Sequence, residues 1–304
     1  MDPSKLLPVP ALLALALTLL LPAPGLAWSR FAHEVTGHLA EGDLSPVARA
    51  AVAGLLDGQG LADVGSWADQ VRPDRPETVP LHYVNGPMDV LVPSAADFNL
   101  PQGNVYSAVL GYSERIADVR LEREQRVEAL KFLVHFLADL HQPLHSGFAE
   151  DRGANDVPAL YRGEVINLHR YWDNQIFASV QAVFDSRQFA AVLRARHGDH
   201  ERRAWAASAP RDWVIEARGL IFNGLYPRPR GDALSGLIEE DRQRLAGPIA
   251  VLDESYRSVW QPVAERQLAR AGARLAAALN HIFEAGRSPF APPPIPFPPS
   301  PPVS

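Results

Sequence analysis

The amino-acid sequence predicts a mainly helical fold in a single domain. Of the 304 residues, 47% are hydrophobic, which is enough for one sizeable core, and no shift in composition marks an internal boundary. Through most of the chain after residue 28, apolar side chains recur at the spacing of an amphipathic helix, and the alternation typical of strands is scarce. We therefore expect an all-α protein.

Two stretches in the first half of the chain carry the helical pattern. Residues 36–56 are rich in alanine and leucine at helical spacing. Residues 107–140 are longer, and Gly111 with the charged run that follows it predicts two helices there. Gln142 and Pro143 should end the second of these helices, because proline cannot continue a helix.

The second half of the chain gives a similar pattern with more interruptions. Residues 213–225 and 249–284 are expected to be helical, with a break at Pro262. A short hairpin is expected at residues 161–165. Proline is frequent from residue 288 to the end, which predicts an extended and poorly packed tail over residues 288–304. The folded domain is therefore expected to span residues 28–287.

The N-terminal residues predict a cleaved signal peptide over residues 1–27. The apolar run at residues 11–21 follows a short polar start and is too short to cross a bilayer as a helix. The small residues Gly25 and Ala27 predict cleavage between Ala27 and Trp28. We expect a secreted or periplasmic protein with no membrane span after processing, and an uncleaved anchor is the alternative.

Composition restricts the possible chemistry. The chain has no cysteine, so a metal ion would have to be held by His, Asp, Glu or backbone atoms. Export without disulfides also favours a bacterial protein. The net charge is −6, whereas a protein that holds nucleic acid through its surface charge is usually basic. If the substrate is a nucleic acid, bound metal ions are the obvious partners for its phosphates.

Histidine and aspartate are concentrated in one short stretch. His135 and Asp139 are four residues apart on a predicted helix, so both side chains lie on the same face, and His169 and Asp173 repeat this spacing. His145 follows the proline break and can turn towards the second pair. One such pair is usually a solvated surface pair. Two pairs in apolar surroundings favour a zinc site, because burying them without partners would be costly.

Seven segments, in the same order, resemble the S1/P1 family of single-strand nucleases. The two strongest are His135-Phe-Leu-Ala-Asp139-Leu-His-Gln-Pro-Leu-His145 and Asn167-Leu-His169-Arg-Tyr-Trp-Asp173. The others are Ser66-Trp-Ala-Asp69-Gln-Val-Arg72, Leu81-His82-Tyr83-Val84, Asp151-Arg-Gly-Ala-Asn155, Trp28 with His33 five residues later, and Ala271 to Asn280. The resemblance implies a mainly helical single domain, a fold shared with zinc phospholipase C.

The resemblance also implies a cluster of three zinc ions. One zinc would be held by Asp69, His82, His135 and Asp139. Asp139 would bridge to a second zinc, held by His33 and by the α-amino nitrogen and carbonyl oxygen of Trp28. The third would be held by His145, His169 and Asp173. A hydroxide that bridges two zinc ions would be the nucleophile.

Asp69 and Arg72 are implied to be catalytic. Arg72 lies one helical turn after Asp69 and would reach the scissile phosphate as an additional positive group. From the sequence alone, a surface arginine paired with Asp69 or Asp74 is the alternative.

Tyr83, Asn85 and Asn155 are implied to bind substrate. Tyr83 would stack on a base, although a core aromatic beside His82 remains an equal alternative. Asn85 stands where fungal members of the family carry an aspartate that contacts the base, so base preference is expected to differ. Asn155 belongs to a Gly-Ala-Asn segment where the family often has Gly-Gly-Asn.

The remaining five histidines receive structural interpretations. His38, His197, His200 and His281 have no partner at ligand spacing and are expected at the surface or the edge of the core. His141 should point away from the His135 face, and a hydrogen bond to a ligand residue is its plausible role.

The expected activity is zinc-dependent endonucleolytic hydrolysis of single-stranded DNA and RNA to 5′-phosphate products, with 3′-nucleotides as further substrates. The protein is expected to act as a monomer without a stable protein partner. A zinc phospholipase C of the same fold is the first alternative, and the order of the matched segments disfavours it. A zinc-sequestering periplasmic protein is the second, and it would leave Arg72 without a role.

Overall fold

A computed structural model describes residues 28–227, the backbone at 229–230, and residues 249–290. The predicted signal peptide at 1–27 and most of the predicted tail, from residue 291 onward, lie outside the described residues. The first residues of that predicted tail are packed, because the Phe290 ring meets the edge of Trp213 at 5.7 Å between centroids.

Helices dominate the described chain, which confirms the predicted all-α class. The α-helices are α1 (Arg30–Asp43), α2 (Pro46–Leu55), α3 (Leu61–Val64), α4 (Trp67–Val71), α5 (Ala95–Phe98), α6 (Val105–Ala117), α7 (Arg123–Asp139), α8 (Leu168–Arg170), α9 (Ala178–Gln181), α10 (Ser186–Arg196), α11 (Asp199–Ala206), α12 (Pro210–Leu220) and α13 (Glu254–Ala285). Short 3₁₀ helices span Pro76–His82 and Pro143–Ser146, and π-helical turns span Tyr171–Gln175 and Ile221–Leu225.

The predicted helical stretches are present with shifted boundaries. The stretch at 36–56 is two helices, because Ser45 caps α2 and Pro46 occupies its first position. The predicted division of 107–140 into α6 and α7 is confirmed, and α7 ends before Pro143. The stretch at 213–225 starts earlier, at Pro210, and ends in the π-helical turn, where Gly224 adopts φ +100°.

A small sheet corrects one prediction. The expected hairpin is present as β1 (Pro158–Tyr161) and β2 (Glu164–Asn167), which pair in antiparallel fashion. Residues 249–251 were expected to begin a helix but form β4 (Ile249–Val251), which pairs with β1 in parallel and with β3 (Pro229–Arg230) in antiparallel fashion. A short apolar run has no distinguishing periodicity, so the partner strands decide its conformation.

The predicted break at Pro262 was also wrong, because α13 continues through this proline to Ala285. Proline removes one helical hydrogen bond, to the carbonyl of Ser258, and both residues are exposed, so water can satisfy that carbonyl. The buried face of α13 packs against α1, α2 and α7 along its length, which outweighs this local cost.

The described residues form two apolar clusters. One surrounds α7 and includes Phe132, Leu133 and Phe136, and the other contains Trp28 and Trp172. Because α1 packs against α7, α10 and α13, it joins the two clusters. Among the described residues, no helix is long and apolar enough to cross a membrane.

Candidate active site

A cavity of about 560 Å³ opens beside the end of α7. Its walls combine apolar side chains with polar groups that the sequence analysis had singled out. The lining residues are Arg72, Pro73, Pro76, Val79, His82, Tyr83, Asn85, Leu144, His145, Arg152, Asn155 and His169. The cavity therefore joins predicted metal ligands to predicted substrate-binding residues.

The first candidate metal group is built around the last turn of α7. The four-residue spacing of His135 and Asp139 brings His135 Nε2 to 3.1 Å from Asp139 Oδ2. The 3₁₀ helix ends at His82, whose Nδ1 lies 2.9 Å from the same oxygen. Asp69 on α4 completes the group, with its Oδ2 at 3.9 Å from His135 Nε2. These elements thus bring together the four side chains predicted for one zinc.

The second candidate group adds His33 from α1. Its ring stacks on that of His135 at 4.0 Å, and its Nε2 lies 3.5 Å from Asp139 Oδ1. Trp28 is fully buried, and the backbone N–H of Ser29 donates to the carbonyl oxygen of Asp173 at 2.9 Å. That bond fixes the start of the described chain beside the Asp173 backbone.

The third candidate group joins the two remaining sequence signatures. The 3₁₀ helix after Pro143 carries His145, whose Nε2 lies 3.4 Å from Asp173 Oδ1. His169 Nε2 lies 3.3 Å from Asp173 Oδ2, and the two imidazole rings stack at 5.1 Å. Asp173 itself lies in a π-helical turn, a local irregularity that is common at functional sites.

Hydrogen bonds behind the ligands orient the imidazole rings. The Nδ1 atom of His135 lies 2.8 Å from the carbonyl oxygen of Gly65, and Nδ1 of His169 lies 2.6 Å from that of Gly153. A carbonyl at Nδ1 requires the N–H there and leaves Nε2 free to bind a metal. Both rings therefore present Nε2 to their carboxylate partners.

Gln142 is a functional candidate that the sequence analysis missed. Its Nε2 donates to Asp173 Oδ1 at 2.8 Å, while its Oε1 accepts from the backbone N–H of Leu144 at 2.6 Å. The fully buried amide thus holds Asp173 against the segment that carries His145. In the sequence, Gln142 lies between the predicted ligands Asp139 and His145, and that position was the available signal. It was interpreted only as the end of a helix.

Replacing Gln142 by alanine should weaken zinc binding at the group of His145, His169 and Asp173. Loss of a hydrogen bond behind a ligand usually costs about 10–100-fold in metal affinity. Zinc retention would be measured by titration with a competing chelator. The matched control is Gln267→Ala, since Gln267 is also buried but contacts the carbonyl of His141 and Arg270 instead. Equal chelator sensitivity in the two variants would contradict this role.

The buried donors fit metal ions. Several of their atoms are shielded from solvent and have no hydrogen-bond partner among the described residues. These atoms are both ring nitrogens of His33, Asp69 Oδ1, His82 Nε2, Asp139 Oδ1, His145 Nδ1 and Asp173 Oδ2. Buried polar atoms without a hydrogen bond are costly, and coordination would remove that cost. Imidazole nitrogens and carboxylates without thiolates suit zinc.

The charges in the cluster are strongly coupled. Burial opposes the protonation of His135, but the carboxylates of Asp139 and Asp69 outweigh it and raise the pKa of the imidazole to about 9. Burial likewise opposes the ionisation of Asp139, yet His135 and His145 hold the pKa of its carboxyl well below the ordinary value. Burial lowers the pKa of His33, and His135 lowers it further. Asp139 is therefore ionised, the form that a ligand requires.

Arg72, which was predicted to be catalytic, and the three predicted substrate-binding residues all line the cavity. The Arg72 guanidinium lies 3.4 Å from Asp69 Oδ1, so the ion pair with Asp69 that was the alternative interpretation is present. Arg72 nevertheless also lines the cavity. Tyr83 is 40% exposed, which excludes the role of a core aromatic. Asn85 has a buried, unpaired amide oxygen, and Asn155 donates through Nδ2 to the carbonyl of Arg152 at 2.9 Å.

Arg152 is a second residue that sequence reasoning did not single out. Its side chain lines the cavity, is 72% exposed, and lies 3.4 Å from Asp156.

Arg152, Gly153 and Ala154 all adopt positive φ, at +55°, +64° and +66°. Glycine adopts this conformation freely, which explains the Gly-Gly of the family pattern and makes Ala154 a strained departure from it.

His141 lies outside the candidate metal groups. Its Nδ1 is 2.7 Å from the carbonyl of Leu137, and its Nε2 is 2.9 Å from Arg274. It therefore points away from the ligands, as expected, but it bonds to Arg274 rather than to a ligand residue. The other predicted non-ligands, His38, His197, His200 and His281, also lie away from these groups.

The fold and site define a mainly helical protein with buried histidine and aspartate groups that could bind metal ions. The sequence model of the S1/P1 nuclease family matches residues 28–284, and the chain belongs to this family. Endonuclease 5 of Arabidopsis thaliana is 31% identical over 277 residues, which cover 86% of this chain and 92% of the relative. The family resemblance predicted from the sequence is thereby confirmed.

Two fungal enzymes are also similar. Nuclease P1 of Penicillium citrinum is 28% identical over 84% of this chain and 97% of its own length. Nuclease S1 of Aspergillus oryzae is 26% identical over 91% of this chain and 98% of its own length. The chain is thus a phosphodiesterase of the nuclease class, as the sequence predicted.

Proposed function

We propose that this chain is a secreted or periplasmic zinc-dependent endonuclease that hydrolyses single-stranded DNA and RNA to 5′-phosphate products and also accepts 3′-nucleotides. One observation carries the proposal. Of three histidine and aspartate groups that could hold metal, two contribute histidines to a cavity whose wall also holds an arginine and an exposed tyrosine. The predicted signal peptide supports export.

Zinc would be held at three places by the ligand sets predicted from the sequence. The first set is Asp69, His82, His135 and Asp139. The second is His33, Asp139 and the terminal amine and carbonyl of Trp28. The third is His145, His169 and Asp173. Bound zinc would supply the positive charge that a chain of net charge −6 needs to bind an anionic phosphate. It would also lower the pKa of a bound water molecule.

Arg72 is the proposed phosphate-binding side chain. Its side chain is 13% exposed, lines the cavity and lies beside Asp69, so the carboxylate can orient the guanidinium at the cavity wall. A guanidinium can bind two phosphate oxygens at once and stabilise negative charge as it develops.

The base of the substrate would be held by Tyr83, Asn85 and Asn155. The exposed ring of Tyr83 offers a face for stacking on any base. Asn85 lines the same cavity, and its side-chain amide can both donate and accept hydrogen bonds with a base. The hydrogen bond from Asn155 Nδ2 to the carbonyl of Arg152 holds the Asn155 side chain in the cavity wall.

The function is tested with purified protein that starts at Trp28. Single-stranded DNA, RNA, 3′-nucleotides and phosphatidylcholine are incubated separately, and products are identified by mass. We expect 5′-phosphate oligonucleotides and mononucleotides from the nucleic acids. Turnover confined to phosphatidylcholine would show a phospholipase instead, and zinc binding without any turnover would show a sequestering protein.

Elemental analysis after gentle purification should find about three zinc ions per chain, given the donor groups in the site. Removal of zinc with a chelator should abolish cleavage, and added zinc should restore it. A zinc content near zero, with activity retained in chelator, would exclude the metal proposal.

Replacing Tyr83 by alanine should raise the Michaelis constant for single-stranded DNA about tenfold, because stacking contributes about 1–3 kcal/mol per base. Tyr83→Phe is the control, since it keeps the ring and removes only the hydroxyl. Stacking requires a base outside the duplex, so single strands should also be cleaved much faster than duplex at moderate salt. An unchanged Michaelis constant in Tyr83→Ala would exclude Tyr83 as the base platform.

A further inference from the structure

Two segments of the site run side by side. The first follows the 3₁₀ helix that ends at His82 and carries Tyr83 and Asn85, and the second carries His145. The N–H of Val84 donates to the carbonyl of His145 at 2.7 Å. Gly86 continues the pairing through its N–H to Gly147 at 3.0 Å and its carbonyl to the N–H of Ala149 at 2.9 Å. The segments 82–86 and 145–149, here called the site ladder, therefore set how far the base-binding edge lies from a metal ligand.

Arg218 of α12 closes the end of this ladder. Its guanidinium is fully buried. On one side, Nη1 donates to the carbonyls of Ser146 and Gly147 at 3.1 and 2.8 Å. On the other side, Nη2 donates to the carbonyl of Pro87 at 2.6 Å, and Nε donates to that of Val90 at 2.9 Å. One side chain thus joins the chain that leaves the base-binding edge to the chain that follows His145.

The partners of Arg218 are unusual for a buried cation. Among the described residues, no carboxylate forms an ion pair with it, and its hydrogen bonds go to backbone carbonyls. The rings of Phe148 and Phe222 lie against the guanidinium at 5.6 and 5.9 Å. A buried charge without an ion-pair partner is expensive, so its cost must be offset by these carbonyl acceptors and ring faces.

The shape of the guanidinium is what the arrangement uses. Its five donors lie in a rigid plane and can reach two chains at once, whereas the ammonium of lysine is a compact point charge. Gly86 lies directly against it, because a Cβ added to Gly86 would come within 3.2 Å of Arg218 Nη1. The ladder therefore leaves space for the arginine plane and almost no more.

We propose that Arg218 is a positioning residue that sets the separation between the base-binding edge of Tyr83 and Asn85 and the metal-binding segment of His145. It touches neither substrate nor metal, and it acts by holding the site ladder. This inference rests on the proposed nuclease function. It predicts that, without the planar guanidinium, a substrate base stacks less well on Tyr83, while zinc stays bound.

The test is a double-mutant cycle between Arg218→Lys and Tyr83→Ala. Arg218→Lys should raise the Michaelis constant for single-stranded DNA about tenfold and change kcat by less than about threefold, with zinc content unchanged. In the Arg218→Lys background, Tyr83→Ala should then raise the Michaelis constant by less than about threefold, because the ring is already displaced. Arg218→Met, which removes the charge, should have a larger effect in the same direction.

A second variant reaches the same contact without altering the arginine. Gly86→Ala should push the guanidinium by a few tenths of an ångström and raise the Michaelis constant about two- to fivefold. The matched control is Arg202→Lys, because Arg202 is also a buried arginine but bonds to Asp43 and Asp199, away from the ladder. It should lower thermal stability and leave the Michaelis constant unchanged.

Additive effects of Arg218→Lys and Tyr83→Ala would overturn the inference, and so would loss of zinc with an unchanged Michaelis constant. If Arg218→Lys does not fold, Gly86→Ala decides, and a wild-type Michaelis constant in that variant overturns the inference too. Failure of the unsubstituted protein to cleave any single strand would count against the proposed function itself and is seen before any variant is made.

Discussion

Replacing Asp139 by asparagine is expected to lower cleavage of single-stranded DNA at least about a thousandfold, because bound metal contributes several kcal/mol to stabilising the transition state. Asp139 lies at the centre of the site. Its two carboxylate oxygens lie within 3.5 Å of nitrogens from four histidines, namely His33, His82, His135 and His145. Loss of its negative charge should therefore disturb more than one metal group.

Asp173→Asn is the matched comparison for this prediction. Asp173 is equally buried, but among the described residues its carboxylate pairs with His145, His169 and Gln142 rather than with four histidines. Elemental analysis should show the loss of about one zinc from Asp173→Asn and about two from Asp139→Asn, since ligands of one group only are affected in the former. Circular dichroism would verify that both variants remain folded. Equal zinc loss from the two would contradict the bridging role of Asp139.

The candidate ligands that the sequence indicated without the family resemblance share a physical basis. The pairs His135–Asp139 and His169–Asp173 each lie on one helical turn, so spacing alone places both side chains on the same face. His145 could be added because Pro143 ends the helix and allows the chain to turn. Local geometry thus fixed most of two groups, and helical periodicity fixed the fold class.

The other candidate ligands required the resemblance, because each comes from a different element. Asp69 lies on α4, His82 at the end of a 3₁₀ helix and His33 on α1. Only tertiary packing brings them within 4.8 Å of their partners. No spacing in the sequence records such a meeting, and only the matched order of motifs could indicate it.

Two of the residues that sequence reasoning missed, Gln142 and Arg218, form hydrogen bonds with backbone atoms. Gln142 bonds to the N–H of Leu144, and Arg218 bonds to the carbonyls of Ser146 and Gly147. Backbone atoms are present at every position, so such contacts leave no pattern of residue types. The misassigned strand at 249–251 has a similar cause, since its conformation depends on β1 and β3 rather than on its own three residues.

Trp28 is both the residue that follows the predicted signal peptide and a predicted zinc ligand. The indole is fully buried and lies 6.2 Å from the Phe177 ring, while Ser29 caps α1 through its side chain and donates its N–H to the carbonyl of Asp173. These contacts fix the backbone on both sides of the Trp28 carbonyl. A free α-amine at Trp28 would exist only after cleavage behind Ala27. In the precursor that nitrogen is an amide, which is a very poor zinc ligand.

We therefore expect the precursor to be nearly inactive on phosphodiesters, which would protect the cell from its own nuclease before export. Three proteins test this: one that begins at Trp28, one with a single methionine before Trp28, and the unprocessed chain. Zinc content and cleavage of single-stranded DNA would be measured for each. The protein that begins at Trp28 should bind about one zinc more than the others and cleave at least about a hundredfold faster, since a misplaced charge-stabilising group typically costs that much. The methionine variant separates the amine from the remainder of the signal peptide, because it adds one residue and no apolar run. The same zinc content and rate in all three proteins would exclude the terminal amine as a ligand and leave His33 with a different role.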